Sequence, residues 1–176
     1  EINEISKAID TIEKQDNFKI CILHCVSIYP PKTSTIQLKN IIGFRKEFPN
    51  YPIGFSDHSV GTEIATAAIA LGACLIEKHL TLDNTKIGMD NQMAIQPDEM
   101  KKLVKHCHNV YNAMGQHSRK ITSEELEQRK IMRRSIVTVK DLKKGTLLKE
   151  KDLDVKRPGT GIPPEKLEPL IGKTIN

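Results

Sequence analysis

The chain has 176 residues, enough for one domain with a real core or one and a half small ones. Its 27 Lys and Arg outnumber 22 Asp and Glu for a net charge of +5, and hydrophobic content, at 38%, is ordinary. No run approaches the length needed to span a bilayer and no secretory pattern opens the chain, so a soluble, cytoplasmic protein without a membrane partner is expected. The charge is uneven, with 13 Lys/Arg against 9 Asp/Glu in residues 121–176 and 14 against 13 in residues 1–120. No aromatic interleaving or binding motif accompanies that tilt. An anionic small substrate or a solvated face explains it, and no nucleic acid is expected. Cysteines 21, 25, 74 and 107 sit in apolar segments without a CxxC pair, which predicts buried free thiols.

In chain order, Ile2, Ile5, Ala8, Ile9 and Ile12 follow a helical period. Glu1 enters this pattern without an initiator Met, which suggests a fragment of something longer. "FKICILHCV" (18–26) reads as a strand buried on both faces. Ser34 or Thr35 can cap a helix running to about Phe48, with Leu38, Ile41, Ile42 and Arg45 on its inner side. "YPIGFS" (51–56) is a second buried strand. Thr62 caps a small-residue helix that Gly72 ends, and "CLIEKHLTL" (74–82) is a third strand. Pro97 opens a helix whose stripe is Met100, Leu103, Val104, Cys107, Val110, Tyr111 and Met114. Consecutive βαβ units imply right-handed crossovers and a parallel sheet. Three units cannot close a barrel, so this is either a small open sheet or the last part of a (β/α)8 barrel.

Residues 115–133 form a polar connector with a helix expected over 123–132. Counted from Ser123, the capping-box position is Leu126, so no box is expected. From Ser135 the pattern alternates over short runs broken by Lys-Gly and Pro-Gly, a small β-rich module without an obvious closing strand. The expected organisation is a β/α portion over 1–118, a linker over 119–133 and a truncated β-rich module over 134–176.

Alternation puts Ser56 and His58 on one face of the second strand, and Glu77 and His79 on one face of the third. In a barrel, both histidines lie at C-terminal strand ends, where that architecture builds its active sites. Two such imidazoles could hold a divalent metal with positions left open for water and substrate. Each could also be an ordinary hydrogen-bonded loop residue, and on the residues alone both readings stand. His24 is expected to pack behind the sheet; His106 and His108 are expected in solvent, and His117 lies in the connector. In "DNTKIGMDNQMA" (83–94), Gly88 permits a tight turn, and Asp90 could receive sugar hydroxyls or serve the turn. Ser27 and Tyr29 in "SIYPP" share a face and would add to a polar floor with Ser56. No Walker or dinucleotide-type glycine loop is present.

Taken together, "HCVSIYPP", "GFSDHSVG", "EKHLTLD" and "VKRPGTGIPP", in this order, resemble the sialic acid synthase family. That resemblance implies an α/β fold, the C-terminal part of a (β/α)8 TIM barrel followed by an antifreeze-like (SAF) domain. It implies condensation of phosphoenolpyruvate with an N-acetylmannosamine-type sugar to give a nonulosonic acid and phosphate. It also implies a divalent metal, usually Mn2+, on His58 and His79. Tyr29 and Ser56 match positions that contact phosphoenolpyruvate. Asp90 matches an acid that holds the amino sugar, and Arg157 matches an arginine that the module of a second subunit supplies in a domain-swapped homodimer. Read alone, Arg157 is an exposed turn residue. Ser27 stands where well-known members have Asn, and "IGMD" replaces a more usual Pro-Gly-x-Asp or Gly-Trp-Asp loop. The alternatives are a non-catalytic carbohydrate- or partner-binding remnant and a related phosphoenolpyruvate-condensing synthase. Paired strand-end histidines favour an enzyme, and the attached module favours sialic acid synthases. The residues by themselves are expected to be inactive and poorly soluble, with strand edges unpaired.

Overall fold

The computed structural model describes residues 1–15 and 19–176. It divides into two compact units, Glu1–Gly115 and Gln116–Asn176. In the first, α1 (Ile2–Ile12) is followed by three β/α repeats: β1 (Ile22–Cys25) and α2 (Asn40–Glu47), β2 (Ile53–Asp57) and α3 (Glu63–Ala70), then β3 (Ile76–Lys78) and α4 (Pro97–Ala113). The strands form one parallel sheet in the order β1-β2-β3. Ile22 pairs with Ile53, Phe55 with Ile76, and Asp57 with Lys78.

One sheet face carries the core. Ile22, Ile53 and Phe55 are buried there with Ile9 of α1, Ile41 of α2 and Ala68 of α3. Ala65, Ile95 and Leu103 form a smaller cluster beneath α4. The expectation of two-sided burial fails for β1, where Cys25 is exposed, and in and beside β3 Leu75 and Glu77 are exposed as well. Three strands supply helices for one face only. For the same reason Cys21, Cys25 and Cys74 are free and exposed rather than buried, and Cys107 is half-buried. Burial raises the pKa of the Cys107 thiol.

Other boundaries shift for local reasons. The first strand begins at Ile22; Phe18 lies outside the described residues. Residues Thr33–Thr35 make a single 3-10 turn, and Gln37 then takes a φ of 54°, so no helix runs through it and α2 begins beyond it, at Asn40. Phe44 packs inward with Ile41, whereas Ile42 and Arg45 face out. Thr62 is the N-cap of α3, but its hydroxyl makes no capping bond. Instead the Glu63 carboxylate accepts from the Thr62 amide at 2.9 Å, and bonds from the Glu63 and Thr62 amides hold its pKa down. The third strand is only three residues long, but Leu80 bridges in parallel to Ile95 beyond it. In α4 only Leu103 of the expected stripe is fully buried, and Val104, Tyr111 and Met114 are exposed. Among the described residues no helix is long and apolar enough to cross a membrane.

In the second unit, α5 (Ser123–Met132) begins one residue earlier in its cap than expected. Thr122 is the N-cap: its hydroxyl accepts from the Glu125 amide, and Glu125 accepts from the Thr122 amide, a complete capping box. The Arg119 guanidinium on Glu125, with that amide bond, lowers the Glu125 pKa to about 2. The strands β4 (Ser135–Thr138) and β5 (Leu153–Lys156) pair antiparallel. The chain's last residues do pair: Leu147 bridges antiparallel to Thr174, and the Gly145 amide donates to the Ile175 carbonyl at 2.8 Å. A short helix, α6 (Leu167–Leu170), precedes them.

Gly54, at the middle of β2, marks the tightest approach in the sheet. A Cβ there would lie 2.5 Å from Leu23 Cδ2 and 2.7 Å from the Leu75 carbonyl oxygen. Backbone cannot step aside inside a hydrogen-bonded strand. Gly54→Ala is therefore expected to destabilise the first unit by about 1–3 kcal/mol, read as a lower urea midpoint.

Candidate active site

The site is built on the open face of the sheet, at the C-terminal ends of the strands. Ser56 lies opposite Glu77 in the ladder, and both side chains point to that face. Ser56 Oγ donates to Glu77 Oε1 at 2.6 Å. One residue beyond β2, His58 is 7% exposed. Its Nδ1 lies 3.0 Å from the Val26 carbonyl, which can only accept, so Nδ1 carries the proton. Nε2 then keeps its lone pair and faces Ser56 Oγ at 3.4 Å. Because the Ser56 proton is engaged by Glu77, that lone pair stays available. Cys25 Sγ sits 3.9 Å behind Nδ1.

His79 follows β3 as His58 follows β2. The two imidazole centroids are 5.3 Å apart, with the rings at 73°. Tyr29 lies over both, stacked on His58 at 4.2 Å and edge-on to His79 at 5.8 Å. The His79 carbonyl accepts from the Ile95 amide at 3.0 Å, which fixes the backbone where the strand ends. Of the residues singled out in the sequence, the structure brings Ser56, His58, His79 and Tyr29 together here.

The sequence did not single out Glu77 as a site member, although it put Glu77 on the same face as His79. It also missed an ion pair on the opposite face. Lys78 Nζ lies 2.8 Å from Asp57 Oδ2, and both side chains are only 1% exposed. Asp57 Oδ1 accepts from the Ser59 amide at 2.9 Å and from Ser59 Oγ at 2.6 Å. Lys78 also donates to the Ser59 carbonyl at 2.7 Å. The available signal was an acid and a base, each one residue before a histidine, in neighbouring strands.

The other expected residues stand apart. Ser27 is exposed just past β1. Asp90 precedes a 3-10 turn, Asn91–Met93, and makes no capping bond to it. Gly88 does not adopt a positive φ; its smallness answers the Asn91 Cβ, 3.1 Å from where its own would be. The 83–94 loop is tied by Asp83 and Asn91 instead. Asp83 Oδ1 accepts from Thr85 Oγ1 at 2.6 Å, which with the Thr85 amide lowers its pKa, and Asn91 Nδ2 donates to the Asp83 carbonyl at 2.7 Å. Arg157, exposed in the second unit, donates from Nε to the Met132 carbonyl at 3.0 Å. His24 is buried behind the sheet, with Nε2 2.6 Å from the Ile36 carbonyl, while His106, His108 and His117 are exposed.

Among the described residues no group of three or more His, Cys, Asp or Glu converges closely enough to hold a metal. The donor set is a pair of imidazoles, one with a defined free nitrogen, with the Glu77 carboxylate engaged by the Ser56 hydroxyl. It suits a cation that keeps most of its positions for water and substrate.

An open-sheet portion of a β/α barrel with polar groups at its C-terminal strand ends defines the class. The chain belongs to the NeuB family, whose model matches residues 1–119, and a SAF domain matches residues 133–176. The first unit is thus the C-terminal part of a (β/α)8 barrel; three of the four quoted motifs fall within the NeuB match and "VKRPGTGIPP" within the SAF match. It is 35% identical to the N,N'-diacetyllegionaminic acid synthase of Legionella pneumophila over 180 residues, covering 100% of this chain and 50% of the relative. It is also 35% identical to the N-acetylneuraminate-9-phosphate synthase of Homo sapiens, over 96% of this chain and 47% of the relative. The crystal structure of N-acetylneuraminic acid (sialic acid) synthetase from Leptospira borgpetersenii, in complex with citrate, superposes with a TM-score of 0.65 at 35% identity, over 72% of this chain and 44% of that one. The chain spans about half the length of the curated relatives it matches.

Asp57→Ala leaves the Lys78 ammonium buried without its partner. It is expected to destabilise the first unit by about 3–5 kcal/mol, measurable as a shift of the urea midpoint at unchanged slope.

Proposed function

We propose that the protein condenses phosphoenolpyruvate with an N-acetylmannosamine-type aldehyde sugar, releasing phosphate and a nonulosonic acid. The observation that carries this proposal is the convergence of His58, Ser56, His79 and Glu77 at two adjacent strand ends, with Tyr29 from beyond β1 laid over both imidazoles, in a chain of this family. The names of its relatives, acid synthases for legionaminic acid and N-acetylneuraminate 9-phosphate, support the substrate class.

The chemistry joins C3 of phosphoenolpyruvate to the aldehyde carbon of the open-chain sugar. Water adds at C2, and the C–O bond to phosphate breaks. His58 Nε2 and His79 are the residues that would hold a divalent cation, taken as Mn2+, which when bound acts as a Lewis acid on the aldehyde oxygen. The chain's own groups set the stage. The Val26 carbonyl holds the His58 tautomer, and Tyr29 stacked on the ring limits its rotation. Ser56, its proton committed to Glu77, presents an oxygen toward the same space. Glu77 accepts a proton from a neighbouring hydroxyl or water. Tyr29 and Ser56 line the phosphoenolpyruvate side, and Ser27 extends that polar floor. Asp90 accepts sugar hydroxyls from the following loop, and Arg157 reaches the site from the module of a second copy in a swapped homodimer, positioning the sugar.

The test uses the chain joined to the upstream barrel half of a relative, hereafter the complete barrel. Phosphate release from phosphoenolpyruvate with Mn2+ is measured with N-acetylmannosamine, its 6-phosphate and a 2,4-diacetamido sugar offered separately. Release with one sugar, falling at least 100-fold in His58→Ala, supports the proposal and identifies the sugar. No release with any of them favours a binding remnant or a related synthase.

A further inference from the structure

The Asp57–Lys78 pair has a placement that stability alone does not account for. Two charges buried to 1% exposure repay their desolvation poorly, and apolar residues of similar volume commonly hold a fold as well. What an apolar pair cannot supply is direction. Asp57 immediately precedes His58 and Lys78 immediately precedes His79, so both charges occupy the helix-facing side of the strands while both imidazoles occupy the other.

The bonds around them bracket His58. Asp57 Oδ1 takes both the amide and the hydroxyl of Ser59, closing a turn whose middle residue is His58. Lys78 closes the same turn from the neighbouring strand, reaching Asp57 Oδ2 at 2.8 Å and the Ser59 carbonyl at 2.7 Å. The backbone on which His58 sits is therefore tied on both sides to the strand that carries His79. His79 is secured beyond it by the Ile95 amide.

We propose that Asp57, Lys78 and Ser59 form a positioning clamp on the far side of the sheet that fixes the separation and angle of His58 and His79 for a divalent cation. The clamp touches neither substrate nor cation; it acts through the backbone of the two histidines. This inference rests on the imidazole pair being the cation site.

The experiment measures the Kd of Mn2+ alone for the complete barrel, alongside thermal unfolding. The double variant Asp57→Leu/Lys78→Met replaces both charges, so no unpaired ion remains and the fold is retained with a similar melting temperature. Its Mn2+ Kd is expected to rise at least tenfold. Ser59→Ala keeps the ion pair and the backbone bonds of the turn but removes the hydroxyl bond to Asp57, and is expected to raise Kd about threefold. A folded double variant with the wild-type Kd overturns the clamp. If that variant does not fold, an unchanged Kd in Ser59→Ala overturns it instead. A wild-type protein that binds no Mn2+ is a different result: it removes the cation site itself, and this inference falls with it.

Discussion

The register of β2 against β3 is the constraint on which the site depends. With Asp57 opposite Lys78, Ser56 must face Glu77, and one further step along each strand brings His58 and His79 to within 5.3 Å between ring centroids. Because side chains alternate with a period of two, a slip of one residue would turn one histidine to the helices and bring a charge to the open face. The salt bridge penalises such a slip, since it would leave two buried ions without partners. Register, ion pair and imidazole pair are therefore one arrangement seen from two faces of the same sheet.

Each face answers to a different physics. The helix-covered face is dry and holds Ile53, Phe55 and the ion pair, so polar groups there must be fully paired. No buried side-chain nitrogen or oxygen among the described residues lacks a partner. The open face tolerates loose polar groups, and it is here that Glu77 is exposed and His58 Nε2 keeps a free lone pair. A site that must exchange water and substrate belongs on the second face, while the geometry that holds it is fixed on the first. Gly54 belongs to this division too, because it lets Leu23 and Leu75 approach over the central strand.

Much of this was legible in the sequence. Strand alternation alone paired Ser56 with His58 and Glu77 with His79, and the apolar runs placed all three strands. Local reading failed where partners are distant in sequence. The Asp57–Lys78 bond needs the register between strands, which no single strand encodes. The position of Tyr29 over His58 depends on irregular backbone after β1, where alternation no longer applies. Ser34 and Thr35 looked like caps, but the positive φ of Gln37 delayed α2 to Asn40. The cysteines were assigned to the interior because they sit in apolar segments, whereas helices here cover only one face of the sheet.

The central claim is that His58 and His79 together hold a divalent cation, and pulsed electron paramagnetic resonance of Mn2+ on the complete barrel tests it most directly. With 15N-labelled histidine, the account predicts coupling to two imidazole nitrogens, one of which disappears in His58→Gln and the other in His79→Gln. Bound Mn2+ that shows no histidine coupling, or coupling indifferent to both substitutions, would contradict it.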